Sequence, residues 1–275
     1  MSRTAHGAVG RSVILLVSLM LSAGAHRGVA QSETPPSTGE VLVGEELVYN
    51  VSYGFFDLGQ IRIKTVERLD VDGRPCYFSR AYIDSYSNIP FVDLHAVFES
   101  VIDMESYSRR FMGKVKQDGA WDFNRYRFDY PANRVVIESG NRDTVVAKRD
   151  TTEVRAPYQD GLSLYFYARH HLFDGQTRSV PTLVQEKKVA TVINFGPVRT
   201  SVEIDAVDYP VDVAEFDGTM EFTGIFGLTG DFEGWFSNDA ARVPIKAKME
   251  VIIGSVTVEL MEWKRPGWTP PRAQE

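Results

Sequence analysis

Residues Tyr158 to Gly175 read YQDGLSLYFYARHHLFDG, and this is the one stretch beyond residue 30 whose spacing predicts a helix. Asp160 is placed to cap its start and Ser163 falls in the first turn. Arg169, His170 and His171 lie near the end, where cations suit the helix dipole, and Gly175 can supply a left-handed stop. At about 100° per residue, Leu162, Leu164, Tyr165, Phe166, Ala168, Leu172 and Phe173 fill an arc of roughly 200°, leaving Asp160, Ser163, Tyr167, His170 and His171 opposite. A helix so widely apolar must be covered over more than half of its circumference. The expected fold is therefore mainly β: a single large curved antiparallel sheet or open barrel wrapped on one central helix over about residues 160–173.

Arg169 breaks this pattern by falling inside the apolar arc. A guanidinium there keeps its proton and has to be paired or hydrogen-bonded. Three readings stand: a structural ion pair locking helix to sheet, an arginine snorkelling outward along its stem, or an anion-binding group inside a cavity. Asp239 is the acid nominated as its partner.

The rest of the chain is consistent with one β-rich domain. It has 275 residues, 43% hydrophobic and 24% charged, which is ample for a sizeable core. Residues 1–30 have the outline of a secretory signal peptide: Arg3 and Arg11, an apolar run from Val13 to Leu21, and small residues ending at Ala30, the favoured cleavage point ahead of Ala25. That run is short for a membrane span and no second one follows, so the mature form is expected in the periplasm without a stable membrane anchor. The leader lacks the cysteine that a bacterial lipoprotein would acylate. The only cysteine, Cys76, reads as a small buried hydrophobe. Removing the leader's three arginines from 30 basic residues leaves 27 against 37 acidic ones, a net of −10. Nucleic acid is a poor partner for that balance.

Residues 31–44 read as a flexible linker, 45–264 as the domain and 265–275 as a loose, proline-rich tail unless Trp268 pins it. Alternation of apolar and polar residues marks Glu46–Tyr53, Gly59–Leu69 and His95–Asp103 as half-buried strands, and Asp72-Gly73 marks a tight hairpin. Phe55 and Phe56, between the first two strands, are expected either to fold under the sheet as core or to line the mouth of a pocket. Trp121, Phe123, Tyr126, Phe128 and Tyr130, interleaved with Arg125 and Arg127, read as cross-strand packing. Gly224, Gly227 and Gly230 read as bends or bulges, since no phosphate-binding glycine motif is present.

Enzyme signatures are missing. Glu99 and Asp103 share a face but lie roughly 13 Å apart along a strand, beyond the usual spacing of a glycan-cleaving pair. His170 and His171 are adjacent and point apart, and no HExxH, GxSxG or Cys/His pattern occurs, so neither a metal nor a cofactor is expected. His95 near Asp103 is the remaining candidate for a base.

Three blocks together resemble the bacterial exported-protein family catalogued as domain of unknown function 3108. They are GEELVYNVSYGFFDLGQIRI (Gly44 to Ile63), DGLSLYFYAR (Asp160 to Arg169) followed by Gly175, and WFSNDAARVPIKAKMEVIIGSVTVEL (Trp235 to Leu260). The most specific part is the closing pattern of Trp235, Ser237, Asp239, Arg242 and Pro244. The resemblance implies a periplasmic β-rich protein similar in outline to the open-barrel carriers of lipoproteins, and it transfers no catalytic residue. The expected function is that of a non-enzymatic envelope binding protein. Arg169 would hold an anionic head group, Tyr165, Phe166, Phe55 and Trp235 would line the apolar interior, and Asp239 would complete the site. Candidate ligands are a lipid acyl chain, a lipoprotein segment or a cell-wall glycan. The alternative is a structural or assembly factor acting through a protein–protein surface.

Overall fold

The computed structural model describes residues 41–87, 89, 93–117, 119–141, 145–184, 186–220, 228–251 and 254–274. The leader over 1–30, most of the 31–44 linker, and the bends expected at Gly224 and Gly227 lie outside them.

Fourteen strands and one helix follow in order. They are β1 (Glu46–Tyr53), β2 (Phe56–Val71), β3 (Arg74–Ser85), β4 (His95–Asp103), β5 (Ser108–Gln117), β6 (Ala120–Asp129), β7 (Arg134–Asn141), β8 (Val145–Glu153), α1 (Ser163–His171), β9 (Gln176–Val184), β10 (Lys187–Val202), β11 (Val211–Met220), β12 (Leu228–Ser237), β13 (Pro244–Val251) and β14 (Ser255–Lys264). All strands join one antiparallel sheet in the order β8-β7-β6-β5-β4-β3-β2-β1-β14-β13-β12-β11-β10-β9. Two up-and-down meanders thus meet at β1 and β14, and the sheet is an open barrel with edges at β8 and β9. This is the single curved antiparallel sheet expected from the sequence.

Local chemistry sets the register. Asp72 and Gly73 both adopt positive φ (55° and 77°) and join Val71 to its partner Arg74 in a two-residue turn. The Gly73 N–H is held by Asp70 Oδ1 at 2.8 Å. In β4, Ala96, Phe98, Ser100 and Ile102 point inward while Val97, Glu99, Val101 and Asp103 point outward, as alternation requires.

The chain that leads into α1 ties the β9 edge to β5 of the other meander. Gln159 forms a parallel bridge with Thr182 of β9: the Gln159 N–H donates to Pro181 O and the Leu183 N–H to Gln159 O, both at 2.8 Å. On the other side, the Ser108 N–H of β5 donates to Tyr158 O at 3.0 Å. Lys148 of β8 reaches Glu186 at 2.5 Å, and Lys188 reaches the carbonyl of Glu153 at 2.5 Å.

α1 lies inside the curve and is shorter than the expected 160–173. It is covered nearly all round, because Ser163 and Tyr167 are buried along with the apolar arc while His170 is exposed. Leu162 and Phe166 pack into a core with Leu47, Phe98 and Ile245, whereas Leu164, Tyr167, Ala168 and Leu172 pack with Phe195, Phe216 and Phe232. The helix therefore fills the space between the two meanders. Each fully buried leucine or phenylalanine contributes about 1.5–3 kcal/mol.

The tail expected to be loose is anchored. Trp268 sits edge-on to Trp263 at 5.9 Å and donates its indole N–H to Asp239 Oδ2 at 2.8 Å. Tyr209 donates to Pro270 O at 2.9 Å, and Val211 bridges to Arg272. An indole and two backbone partners outweigh the local disorder that proline and polar composition suggest. Cys76 is fully buried, and burial pushes its thiol above the ordinary range.

Candidate functional site

The helix carries two buried charged groups, one at each end. At its start, Asp160 is entirely buried. Its Oδ1 accepts the N–H groups of Leu162 and Ser163, both at 2.7 Å, and its Oδ2 accepts the hydroxyls of Ser100 at 2.6 Å and Ser108 at 2.5 Å. Ser163 Oγ in return accepts the Asp160 N–H at 2.8 Å, a reciprocal cap that also stitches α1 to β4 and β5. Burial raises the Asp160 pKa although all four donors favour the ionised form.

At the other end, Arg169 is 0% exposed. Its Nη1 lies 2.5 Å from Glu45 Oε1, and its Nη2 bonds Glu45 Oε2 at 3.2 Å and Ala241 O at 2.9 Å. Glu45 also receives Arg265 from the start of the tail. Burial alone would raise the Glu45 pKa, but the two guanidiniums lower it further than burial raises it. Tyr165, its ring 5.8 Å below Arg169, shares a hydroxyl contact with Tyr49 at 3.3 Å. The structural ion pair is therefore the arrangement adopted, with Glu45 as the acid.

Asp239 is not the partner of Arg169. Its Oδ1 accepts Ser237 Oγ at 2.8 Å, the Ala241 N–H at 2.9 Å and the Arg242 N–H at 3.1 Å, and its Oδ2 accepts Trp268. These bonds shape a tight turn that holds Arg242 at φ 48°. Arg242 Nη1 then donates to the carbonyls of Arg169 at 3.2 Å and His170 at 2.6 Å, capping the negative end of α1. Trp235 donates to Glu215 at 3.0 Å, and Pro244 O accepts from Tyr49. The Trp-Ser-Asp-Arg-Pro pattern is thus a docking turn for the helix, and its most specific residues are spent on structure.

Of the six residues nominated for a site, Arg169, Tyr165 and Phe166 meet at the helix, and Trp235 and Asp239 belong to the docking turn. Phe55 stands apart. It is fully exposed, and Phe56 is 69% exposed. Tyr53 pairs with Phe56 across a two-residue turn, so neither ring can reach under the sheet. The expectation that they fold inward fails for that reason. The other expectation, at the mouth of a pocket, describes their position. They form one rim of an open groove of about 730 Å³, with Tyr86, Ile89, Ala206 and Met261 completing its apolar lining. Asn50, Asp57, Tyr86 and Glu259 in its lining are hydrogen-bonded or ion-paired. Tyr86 donates to Asn50 Oδ1 at 3.1 Å, Asn50 donates to Asp57 at 2.6 Å, and Glu259 binds Lys246 at 2.6 Å and the Asp205 N–H at 2.9 Å. Sequence reasoning missed Tyr86, Ile89, Ala206 and Met261, since only the adjacent Phe55 and Phe56 were an isolated signal.

His95 cannot serve Asp103 as a base, because the two occupy opposite ends of β4. His95 Nδ1 instead meets Asp84 at 2.6 Å. Asp103 accepts the N–H groups of Glu105 and Tyr107 in the turn after β4. Among the described residues no group of three or more His, Cys, Asp or Glu side chains could hold a metal ion, and no helix is long and apolar enough to cross a membrane.

The model of a family described as protein of unknown function (DUF3108) matches residues 48–261. No curated protein matches the sequence. The fold is similar to that of a β-barrel-like protein of domain of unknown function DUF1849 from Brucella abortus, with TM-score 0.52 and 10% identity over 81% of this chain and 98% of that one. A candidate exported protein with a YmcC-like fold from Bacteroides fragilis aligns at TM-score 0.32 and 8% identity, over 84% of this chain and 98% of that one. At such identities a likeness speaks to fold alone.

Proposed function

The chain belongs to the DUF3108 family of proteins of unknown function, and from that premise we propose that it is a non-enzymatic binding protein of the bacterial cell envelope, taking an apolar ligand segment in the Phe55–Phe56 groove. The observation that carries this reading is the exposure of two adjacent phenylalanines on the rim of an open groove. A fully exposed ring gains about 1.5–3 kcal/mol when covered, which is a driving force for association and otherwise a liability. The signal-peptide outline of residues 1–30 supports export to the periplasm.

An interior head-group site at Arg169 is a weaker reading, because Glu45 already neutralises the guanidinium and a ligand would have to break that pair. Asp57, Asp205 and Glu259 lie around the outer groove and disfavour an anionic head group there. An acyl chain, an uncharged or cationic lipoprotein segment, or a glycan stacked on Phe55 fits this balance. A structural or assembly factor is the second reading, favoured by β8, an edge strand with almost every residue exposed.

A photo-crosslinking residue placed at Phe55 in cells, with native mass spectrometry of the protein recovered from the periplasm, tests both. The binding reading expects a small ligand in the native spectrum that is lost in Phe55→Ser/Phe56→Ser. A single dominant protein adduct with no small ligand would transfer the assignment to the assembly factor, and neither product would remove both.

A further inference from the structure

The outward faces of β3 to β8 carry two neighbouring rows of cross-strand partners that are balanced very differently. One row runs Arg80, Glu99, Met112, Arg125, Glu138, Arg149. Its charges are matched: Arg80 bonds Glu99 at 2.7 Å, while Arg125 at 2.7 Å and Arg149 at 3.4 Å share Glu138. The next row runs Phe78, Val101, Arg110, Arg127, Val136. Here two arginines stand directly opposite one another, both exposed, and neither side chain makes an ion pair, hydrogen bond or ring contact with any described residue. The acids that could reach them are already occupied: Glu99 and Glu138 as above, and Asp129 by Arg134 at 3.0 Å. Like charges directly opposite on neighbouring strands repel. In a chain of net charge −7, this is a local excess of positive charge without a counter-charge.

The two rows border one groove of about 540 Å³ on the outer face. Phe78 and Val101 flank Arg110, and Val136 flanks Arg127; all three apolar side chains are half-buried. A phosphate placed between two guanidiniums accepts paired, charge-assisted hydrogen bonds from both. An alkyl chain leaving that phosphate would run over apolar side chains on either side.

We propose that this outer face is a second binding site, in which Arg110 and Arg127 clasp the phosphate of an alkyl or acyl phosphate while its chain lies over Phe78, Val101 and Val136. The site is independent of the Phe55–Phe56 groove, whose rim is acidic. Titration calorimetry of the full chain at low salt, with octyl phosphate, inorganic phosphate and octyl glucoside in parallel arms, tests it. Octyl phosphate is expected to bind one to one. Arg110→Gln and Arg127→Gln should each weaken it at least about tenfold, and Arg127→Lys should weaken it less, because lysine keeps the charge and loses the fork. Both arginines are exposed, so thermal melting should be unchanged or raised in the glutamine variants, which separates lost binding from lost folding. Phe55→Ser should leave octyl phosphate binding intact. Equal binding of inorganic phosphate or octyl glucoside, no binding of octyl phosphate, or undiminished binding by both glutamine variants would each overturn the proposal.

Discussion

Removing Glu45 is expected to be the most damaging single change to the polar interior. Its carboxylate is 97% buried and pairs with both Arg169, which is fully buried, and Arg265, whose side chain is 7% exposed. Glu45→Ala leaves the fully buried Arg169 guanidinium without its carboxylate and takes one partner from Arg265. Breaking one buried pair costs about 3–5 kcal/mol, so the loss should reach the upper end of that range, about 5 kcal/mol. Arg169→Met leaves Glu45 paired with Arg265 and should lie nearer 3 kcal/mol, while the Glu45→Leu/Arg169→Met double variant should recover part of the loss because no unpaired acid remains. Urea unfolding followed by tryptophan fluorescence measures all three, with an unchanged slope needed for comparison. The pH dependence has a defined sign. The folded pKa of Glu45 is lowered from 4.5, so its contribution is present above pH 4.5 and is lost as pH falls through the lower folded value. A Glu45→Ala protein within about 1 kcal/mol of the parent, or a double variant no more stable than Glu45→Ala, would refute the reasoning.

Three further outcomes are expected. Glu233 is 2% exposed with one oxygen unpartnered, and burial, reinforced by Glu215 and Glu250 against Lys248, raises its pKa to about 7. A raised carboxyl contributes stability that is full below pH 4.5 and lost as pH rises towards 7, so Glu233→Gln should stabilise the protein at pH 8, by on the order of 1 kcal/mol or more, and change little at pH 4.5 in matched urea titrations. Asp160→Ala removes the acceptor of four buried donors and should cost about 2–4 kcal/mol in thermal unfolding, against well under 1 kcal/mol for the exposed His170→Ala. Trp268→Ala should free the tail, seen as faster amide exchange at Asp212, whose N–H donates to Pro271 O, and unchanged exchange there would show that the tail holds without its indole.

Local rules carried much of this fold in the sequence. Alternation over β1 and β4, the Asp72-Gly73 turn and the apolar arc of α1 each depend on residues a few positions apart, and each is visible by inspection. The burial of Arg169 was legible for the same reason, since a charge on an apolar face is a local anomaly. Its partner was not, because Glu45 lies 124 positions away and nothing near Glu45 distinguishes it from Glu46. Asp239 was nominated within a turn that does dock the helix end, yet its oxygens are consumed by that turn and by Trp268. Phe55 and Phe56 misled for another reason: hydrophobicity argues for burial, and only the two-residue length of the connection prevents it. The rows of outward-facing arginines became meaningful only once strand register set them side by side.

The sheet's central ladder joins β1 to β14, the first and last of the described strands, while the interruption between neighbouring strands falls at β8 and β9, beside the helix. During synthesis the eight-strand meander can form early, but its β1 flank has no neighbour until β14 (Ser255–Lys264) is made. That contact is among the most distant in sequence that the molecule contains, so joining the halves is expected to be the slow step of maturation. Until it occurs, β1 offers an open hydrogen-bonding margin to any passing chain.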